Sequence, residues 1–288
     1  MIKALYIFAV LIFCAGLLYQ FAALKVFNFI VPKDSSSELI ASGVAYAEDP
    51  QQRLDIYRPK DAGLKLPILL FVHGGSWKDG DRSDYEFAGR AFAARGYLTL
   101  VMSYRLLPKN RYPDFISDVA LALTWAQNNA AEFGGDGRKI FAVGHSAGAY
   151  NISLAVLDQR YLTAADFDQQ SLLGVASLAG PFDFLPLDSP ITRATFGGVA
   201  DLPSTQPINF ARKDAPPFLL LHGTADTTVY PKNSRSLSKH LTEAGAKAEL
   251  IEYSGVSHVG IMLAVAKPLR GNAPVLDDVD RFFKDILK

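Results

Sequence analysis

Cysteine is almost absent from this sequence: Cys14 is the only one in 288 residues. That excludes an internal disulfide framework and any zinc site built on paired cysteines. Neither sign of charge is in excess, because 29 Lys+Arg balance 29 Asp+Glu. A chain whose main task is gripping nucleic acid is distinctly basic, so no nucleic-acid partner is expected. Metal and nucleotide signatures are missing too. There is no H-E-x-x-H, and the glycine run Gly134–Gly137, which reads as a turn, lacks the spacing of a phosphate-binding loop. Internal repeats are absent. With 49% hydrophobic and 20% charged residues, the composition supports a large core and excludes a disordered chain.

One long hydrophobic run is present. Residues 4–24 contain Gln20 as their only strongly polar side chain. As a helix at 1.5 Å per residue, the run spans about 31 Å, close to the hydrocarbon thickness of a bilayer. A cleavable signal has a shorter apolar core and a small-x-small site, and here Gln20 or Phe21 occupies the place of the first small residue. Residues 1–30 therefore read as an uncleaved membrane anchor with the lipid bilayer as partner. A cleaved signal is the alternative. Lys3 on one side and Lys25 and Lys33 on the other nearly balance. A signal-anchor ordinarily carries the following domain across the membrane, so an extracytoplasmic, periplasmic location is expected. Pro32 and Ser35–Ser37 mark residues 31–42 as a polar linker, leaving 43–288 as the folded domain.

From there, strands and helices alternate. Pro67–His73, Tyr97–Ser103, Lys139–Gly144, Leu172–Leu178, Pro217–His222 and Lys247–Tyr253 are short apolar runs of the kind buried on both faces of a sheet. Helical patterns over Arg82–Arg95, Pro113–Phe133, Ser146–Arg160, Pro231–Ala244 and Asp277–Leu287 separate them. The alternation predicts an α/β fold with a mainly parallel sheet and helices on both faces. Ligands in such sheets sit beyond the carboxyl ends of the strands. The least regular stretch, Ala179–Pro216, reads as a minimal cap.

The strand ends carry reactive residues. Gly144-His145-Ser146-Ala147-Gly148 fits G-x-S-x-G between a strand and a helix, where a sharp turn lifts a serine hydroxyl clear of the sheet. Alone, the pattern also fits a tight turn whose serine caps the helix. His73-Gly74-Gly75-Ser76-Trp77 follows another strand, and glycines there let backbone N–H groups approach an oxyanion. His73 itself reads as a structural member of that loop. A serine needs a base, and the base an orienting acid, in the chain order serine, acid, histidine. Asp226 and His258 follow later strand ends in that order. His222 ends a strand and His240 lies in a helix, which leaves His258 as the candidate base.

Six segments together resemble the α/β-hydrolase esterases, in the branch that groups carboxylesterases with feruloyl-esterase-like and arylformamidase-like members. They are RLDIYRP (Arg53–Pro59), FVHGGSW (Phe71–Trp77), SYRL (Ser103–Leu106), VGHSAGAY (Val143–Tyr150), LHGTADTTV (Leu221–Val229) and His258. The resemblance covers residues 51–288. It implies an α/β-hydrolase fold, with Ser146 as nucleophile and Asp226 and His258 as its partners. It also implies the backbone N–H groups of Gly75, Ser76 and Ala147 as oxyanion donors. Lipase-like relatives often carry a third glycine where this chain has Ser76.

The expected activity is hydrolysis of small carboxylic esters through an acyl-enzyme, with no cofactor. Amide cleavage by the same machinery is the first alternative, and a catalytically inactive binding module the second. Trp77, Tyr150 and Phe182 beside the motifs lead to the expectation of an aromatic-lined pocket for short acyl groups. Arg105 and Asp118 read as a structural pair, and Asp183 as a structural loop residue.

Overall fold

The computed structural model describes residues 24–288. Among them, eight strands form one sheet: β1 (Ser37–Ala45), β2 (Arg53–Pro59), β3 (Leu66–Val72), β4 (Leu98–Met102), β5 (Gly135–His145), β6 (Leu172–Leu178), β7 (Phe218–Gly223) and β8 (Ala248–Tyr253). Their order is β1-β2-β4-β3-β5-β6-β7-β8. Strands β3 to β8 run parallel, while β2 is antiparallel to both β1 and β4. The helices are α1 (residues 24–30), α2 (Glu86–Ala93), α3 (Asp114–Asn129), α4 (Ala147–Leu157), α5 (Gln159–Ala164), α6 (Pro190–Phe196), α7 (Lys232–Glu243), α8 (His258–Leu263) and α9 (Val275–Ile286).

The apolar runs are strands because both faces of the sheet are covered. Along β3, Ile68, Leu70 and Val72 face one core and Leu69 and Phe71 the other, and all five are fully buried. The first core also contains Phe115 and Val119 of α3 and Leu154 of α4, and the second Phe92 of α2 and Phe283 of α9. From β3 the chain moves out to β4, then returns past β3 to β5. That reversal makes the carboxyl ends of β3 and β5 the crevice where such sheets bind ligands. Both the HGGSW and GHSAG segments leave the sheet there.

Three expectations change. The run of residues 4–24 falls, except for Leu24, outside the described residues, and among the described residues no helix is long and apolar enough to cross a membrane. Residues 24–30, read as the end of an anchor, instead form α1 packed on the body, with Asn28 only 8% exposed. The reason is chemical: Asn28 finds polar partners in Ser83, just before α2, and Phe87 of α2, and Phe27 sets its ring edge-on against Phe87. Residues 37–42, read as linker, belong to β1 and pair with β2. Its register shifts between Leu39 and Ala41 and between Ala41 and Val44, which blurs the period-two alternation of an edge strand. The turn expected at Gly134–Gly137 is largely strand, since Gly135 and Asp136 already pair with β3.

The stretch 179–216 holds α6 and two single 3₁₀ turns. Helix α6 has Pro190 at its start and a reciprocal capping box between Ser189 and Thr192. Its Phe196 closes an aromatic cluster with Trp77, Tyr150 and Phe184 at centroid distances of 5.0, 5.4 and 5.3 Å.

Candidate active site

Ser146 sits where β5 gives way to α4, with φ 54° and ψ −121°. An L-residue rarely adopts this conformation, and the local fold must hold it there. Its N–H donates to Leu178 O at 2.8 Å, tying the turn to the end of β6. Gly148 lets α4 lie close over β3: a Cβ there would meet Val72 O at 2.1 Å and His73 O at 2.4 Å. The turn is thus locked by contacts on both sides of β5.

His258 is the first residue of α8, capped by the Ser257 side chain, rather than an ordinary loop residue. Its Nε2 lies 2.9 Å from Ser146 Oγ, and its Nδ1 lies 2.7 Å from Asp226 Oδ2. The carboxylate opposite Nδ1 assigns the proton to that nitrogen, which leaves Nε2 to accept the serine hydroxyl hydrogen. The three residues stand 112 and 32 positions apart in the chain. They meet because β5, β7 and β8 end on the same side of the sheet.

Asp226 is nearly fully buried. Its Oδ1 accepts the N–H groups of Thr228 and Val229, both at 2.9 Å. Burial pushes its carboxyl up, but contacts from His222 and His258 and the Val229 N–H outweigh it and hold the group well below the usual carboxylate range. It is therefore a fixed negative charge beside the His258 ring.

On the other side of Ser146, the loop after β3 runs Gly75 (φ 129°), Ser76 (φ 53°) and Trp77 (φ 58°). A Cβ on Gly75 would stand 1.8 Å from Asp79 O, so only glycine fits that turn. The N–H groups of Gly75, Ser76 and Ala147 have no acceptor among the described residues. Ala147 opens α4, so its free N–H also lies at the positive end of a helix. The loop sits against the serine: a Cβ built on Gly74 would be 3.1 Å from Ser146 Cβ. The Trp77 indole N–H donates to Asn151 Oδ1 of α4 at 2.9 Å, fastening loop to helix.

Two histidines at this site were not singled out by the sequence. His145 donates through Nε2 to His258 O at 3.0 Å, holding the start of α8 against the serine turn. Burial, aided by the nearby His258, pushes its imidazole down to about 3, so it stays neutral. His222 is fully buried. It donates through Nε2 to Val229 O at 2.8 Å, and that nitrogen also stands 3.2 Å from Asp226 Oδ2. Its Nδ1 accepts the Ser234 hydroxyl hydrogen at 2.7 Å. The only sequence signal for His222 is its place four residues before Asp226; for His145 it is adjacency to Ser146.

Other candidates read from sequence stay structural. His73 is sandwiched between Tyr85 (5.6 Å) and Tyr104 (4.5 Å), and burial pushes it down to about 4. Arg105 pairs with the fully buried Asp118 at 2.7 Å. Asp183 accepts the Ser236 hydroxyl hydrogen at 2.8 Å. Trp77, Tyr150 and Phe182 are all buried. Among the described residues, no group of three or more His, Cys, Asp or Glu side chains is placed to hold a metal ion. The arrangement can deprotonate a hydroxyl, present it to a carbonyl carbon and hydrogen-bond the resulting oxyanion.

Comparison with known proteins finds esterases among those the chain is similar to. The BD-FAE family model matches residues 54–241. A probable isoprenylcysteine alpha-carbonyl methylesterase from Oryza sativa is 29% identical, over 87% of this chain and 67% of its own length. Esterase LipC from Mycobacterium tuberculosis is 32% identical, over 75% of this chain and 58% of its own. The chain thus spans about two thirds or less of these curated relatives. Esterase B from Lactobacillus rhamnosis, solved with a tributyrin phosphonate, superposes with a TM-score of 0.82 over 96% of this chain and 95% of its own, at 22% identity. At that identity the likeness shows a shared α/β-hydrolase fold.

Proposed function

The chain belongs to the BD-FAE family, and we propose that it is a serine carboxylesterase using Ser146, His258 and Asp226. The observation that carries this reading is the position of His258, hydrogen-bonded to Ser146 Oγ at 2.9 Å and to Asp226 Oδ2 at 2.7 Å. His258 Nε2 takes the hydroxyl proton as Ser146 Oγ attacks the ester carbonyl. Asp226 holds the ring in the competent tautomer and stabilises the imidazolium. The carbonyl oxygen becomes negative and accepts from the N–H groups of Ala147, Gly75 and Ser76. Ser146's own N–H is already committed to Leu178 O, so the charge rests on those three donors. The alkoxide leaves with the proton from His258. Water, deprotonated by the same nitrogen, then splits the acyl-enzyme and regenerates Ser146.

The substrate in this reading is a small carboxylic ester, in line with the methylesterase and esterase names of the relatives. Residues 4–23, apolar apart from Gln20, are proposed to anchor the chain in a bilayer, with the catalytic domain on the extracytoplasmic side. Hydrolysis of p-nitrophenyl acetate and butyrate by the wild type and by Ser146→Ala tests the chemistry. Turnover falling by about three orders of magnitude or more supports the assignment. Equal turnover by the two proteins places the nucleophile elsewhere.

A further inference from the structure

Among the described residues, helix α1 is fastened to the segment around the start of α2. Asn28 Nδ2–H donates to Ser83 O at 2.8 Å, and Asn28 Oδ1 accepts the Phe87 N–H at 3.1 Å. The second contact matters because α2 has no side-chain cap from its own preceding residue, Tyr85. Asn28 supplies the missing acceptor from another helix. Phe27 packs edge-on against Phe87 at 5.4 Å, and Lys33, just past α1, stands 3.9 Å from Glu86. Further on, Asp34 takes two hydrogen bonds from Arg270, at 3.0 and 2.6 Å.

Ser83 lies in the turn just before α2, and Glu86 and Phe87 open that helix. Helix α2 follows the carboxyl end of β3 and leads back to the amino end of β4, so its start belongs to the catalytic end of the sheet. Tyr85, between those contacts, stacks on His73 of the HGGSW loop at 5.6 Å. A short chain of contacts therefore runs from α1 to the loop beside Ser146.

The outer face of α1 is uncovered and largely apolar, with the exposed Lys25 at its edge. Val26, Phe29 and Ile30 are 59, 85 and 68% exposed, and their spacing puts them on one stripe. The chain enters this helix directly from residues 4–23, a run long enough to cross a bilayer. Val259, beside His258 at the same end, is 39% exposed.

We propose that the Val26–Phe29–Ile30 stripe lies in the interfacial layer of a lipid bilayer and holds the catalytic end of the domain toward that surface. The ester cleaved is then an amphiphile: its apolar part stays in the bilayer while its carbonyl reaches Ser146. The substrate clause rests on the esterase reading above; the docking clause does not. The energetic source is apolar side chains leaving water for the headgroup–acyl boundary.

Two measurements on the full chain test this. In the first, Cys14→Ser is combined with Phe29→Cys or Leu64→Cys, and each protein is labelled with an environment-sensitive dye and reconstituted into phosphatidylcholine vesicles with or without doxyl-labelled lipid. Leu64 is 80% exposed and precedes β3, at the opposite end of the sheet. Severalfold stronger quenching at position 29 than at 64 is expected. Equal quenching overturns the proposal. A label at 29 that is shielded but unquenched, with the chain cross-linking to itself, gives the stripe to a second copy and also overturns it.

In the second, the triple variant Val26→Ser, Phe29→Ser, Ile30→Ser keeps wild-type turnover of p-nitrophenyl acetate but loses about tenfold on vesicle-borne hexadecyl acetate. Unchanged turnover of both overturns the substrate clause. A wild type that cleaves neither ester sinks the esterase reading, and the quenching measurement still decides the docking.

Discussion

His222 Nε2 stands 3.2 Å from Asp226 Oδ2, the same oxygen that faces His258 Nδ1 at 2.7 Å. One carboxylate oxygen is thus shared by two imidazoles, one fully buried and one at the reacting face. His222 also binds Val229 O and Ser234 Oγ, so it joins the loop after β7 to α7 and fixes Asp226 within it. His222→Phe keeps a ring in the space and removes the donor. A hydrogen bond to a charged group contributes about 1.5–3 kcal/mol, so kcat is expected to fall roughly tenfold to a hundredfold with little change in KM. Steady-state kinetics on p-nitrophenyl butyrate reads this directly, and a kcat equal to wild type removes His222 from the positioning network.

Two buried neutral histidines contribute to acid sensitivity. Burial pushes His73 down to about 4 and His145 down to about 3 in the folded chain, against 6.5 for an ordinary histidine. The unfolded chain therefore binds protons first. Stability is complete above pH 6.5 and falls as pH drops toward 4, where His73 begins to charge in the folded state as well. For His73 alone the loss is on the order of 3 kcal/mol. Melting temperature should decline from pH 7 to pH 4, and His73→Asn should flatten that slope even though it lowers the starting value. An unaltered slope would assign the acid sensitivity to other groups.

Gly148→Ala is expected to be among the most damaging single-methyl additions. The new carbon would meet two backbone carbonyl oxygens at 2.1 and 2.4 Å, and neither can swing away as a side-chain tip does. Either α4 shifts off β3, displacing the Ser146 turn, or the chain fails to fold. A cost of about 3 kcal/mol or more is expected. Differential scanning calorimetry of the purified variant, if it accumulates, would reveal a native-like melting temperature were this wrong.

Acyl length should matter through the cap. Trp77 of the HGGSW loop interlocks with Tyr150, Phe184 and Phe196. Acetyl and butyryl nitrophenyl esters are expected to turn over at least about tenfold faster than the dodecanoyl ester, because a long acyl chain must displace packed rings. Phe196→Ala should narrow that gap. Comparable rates for acetyl and dodecanoyl esters would show that the acyl chain does not meet this cluster.

Much of this architecture is legible in the chain because strands buried on both faces announce themselves as apolar runs. The proposed reactive residues come soon after those runs, so Ser146, Asp226 and His258 can be nominated from spacing and order. What escaped detection depends on neighbours distant in sequence. His222 looks like an ordinary strand-end residue until β7 and α7 bring Val229, Ser234 and Asp226 around it. Strand β1 hides because its bulged register spoils the alternation and a serine cluster precedes it. Helix α1 follows directly on the apolar run and hides behind it, and Asn28, a polar side chain between Phe27 and Phe29, marks the place where the chain packs on the start of α2.

The spread of the three proposed reacting side chains over the ends of β5 and β7 and the start of α8 has a consequence for how the molecule reaches its working state. The Ser146–His258 hydrogen bond closes a separation of 112 residues, and it requires β6 and β7 to be laid down between β5 and β8. No early, locally formed fragment contains the full set. Contacts of such long separation are slow to form, so in refolding from denaturant the return of ester cleavage should lag the recovery of helical signal. Enzymatic turnover then serves as a clock for the last step of sheet assembly, and any substitution that delays docking of β8 lengthens that lag without touching a reacting group.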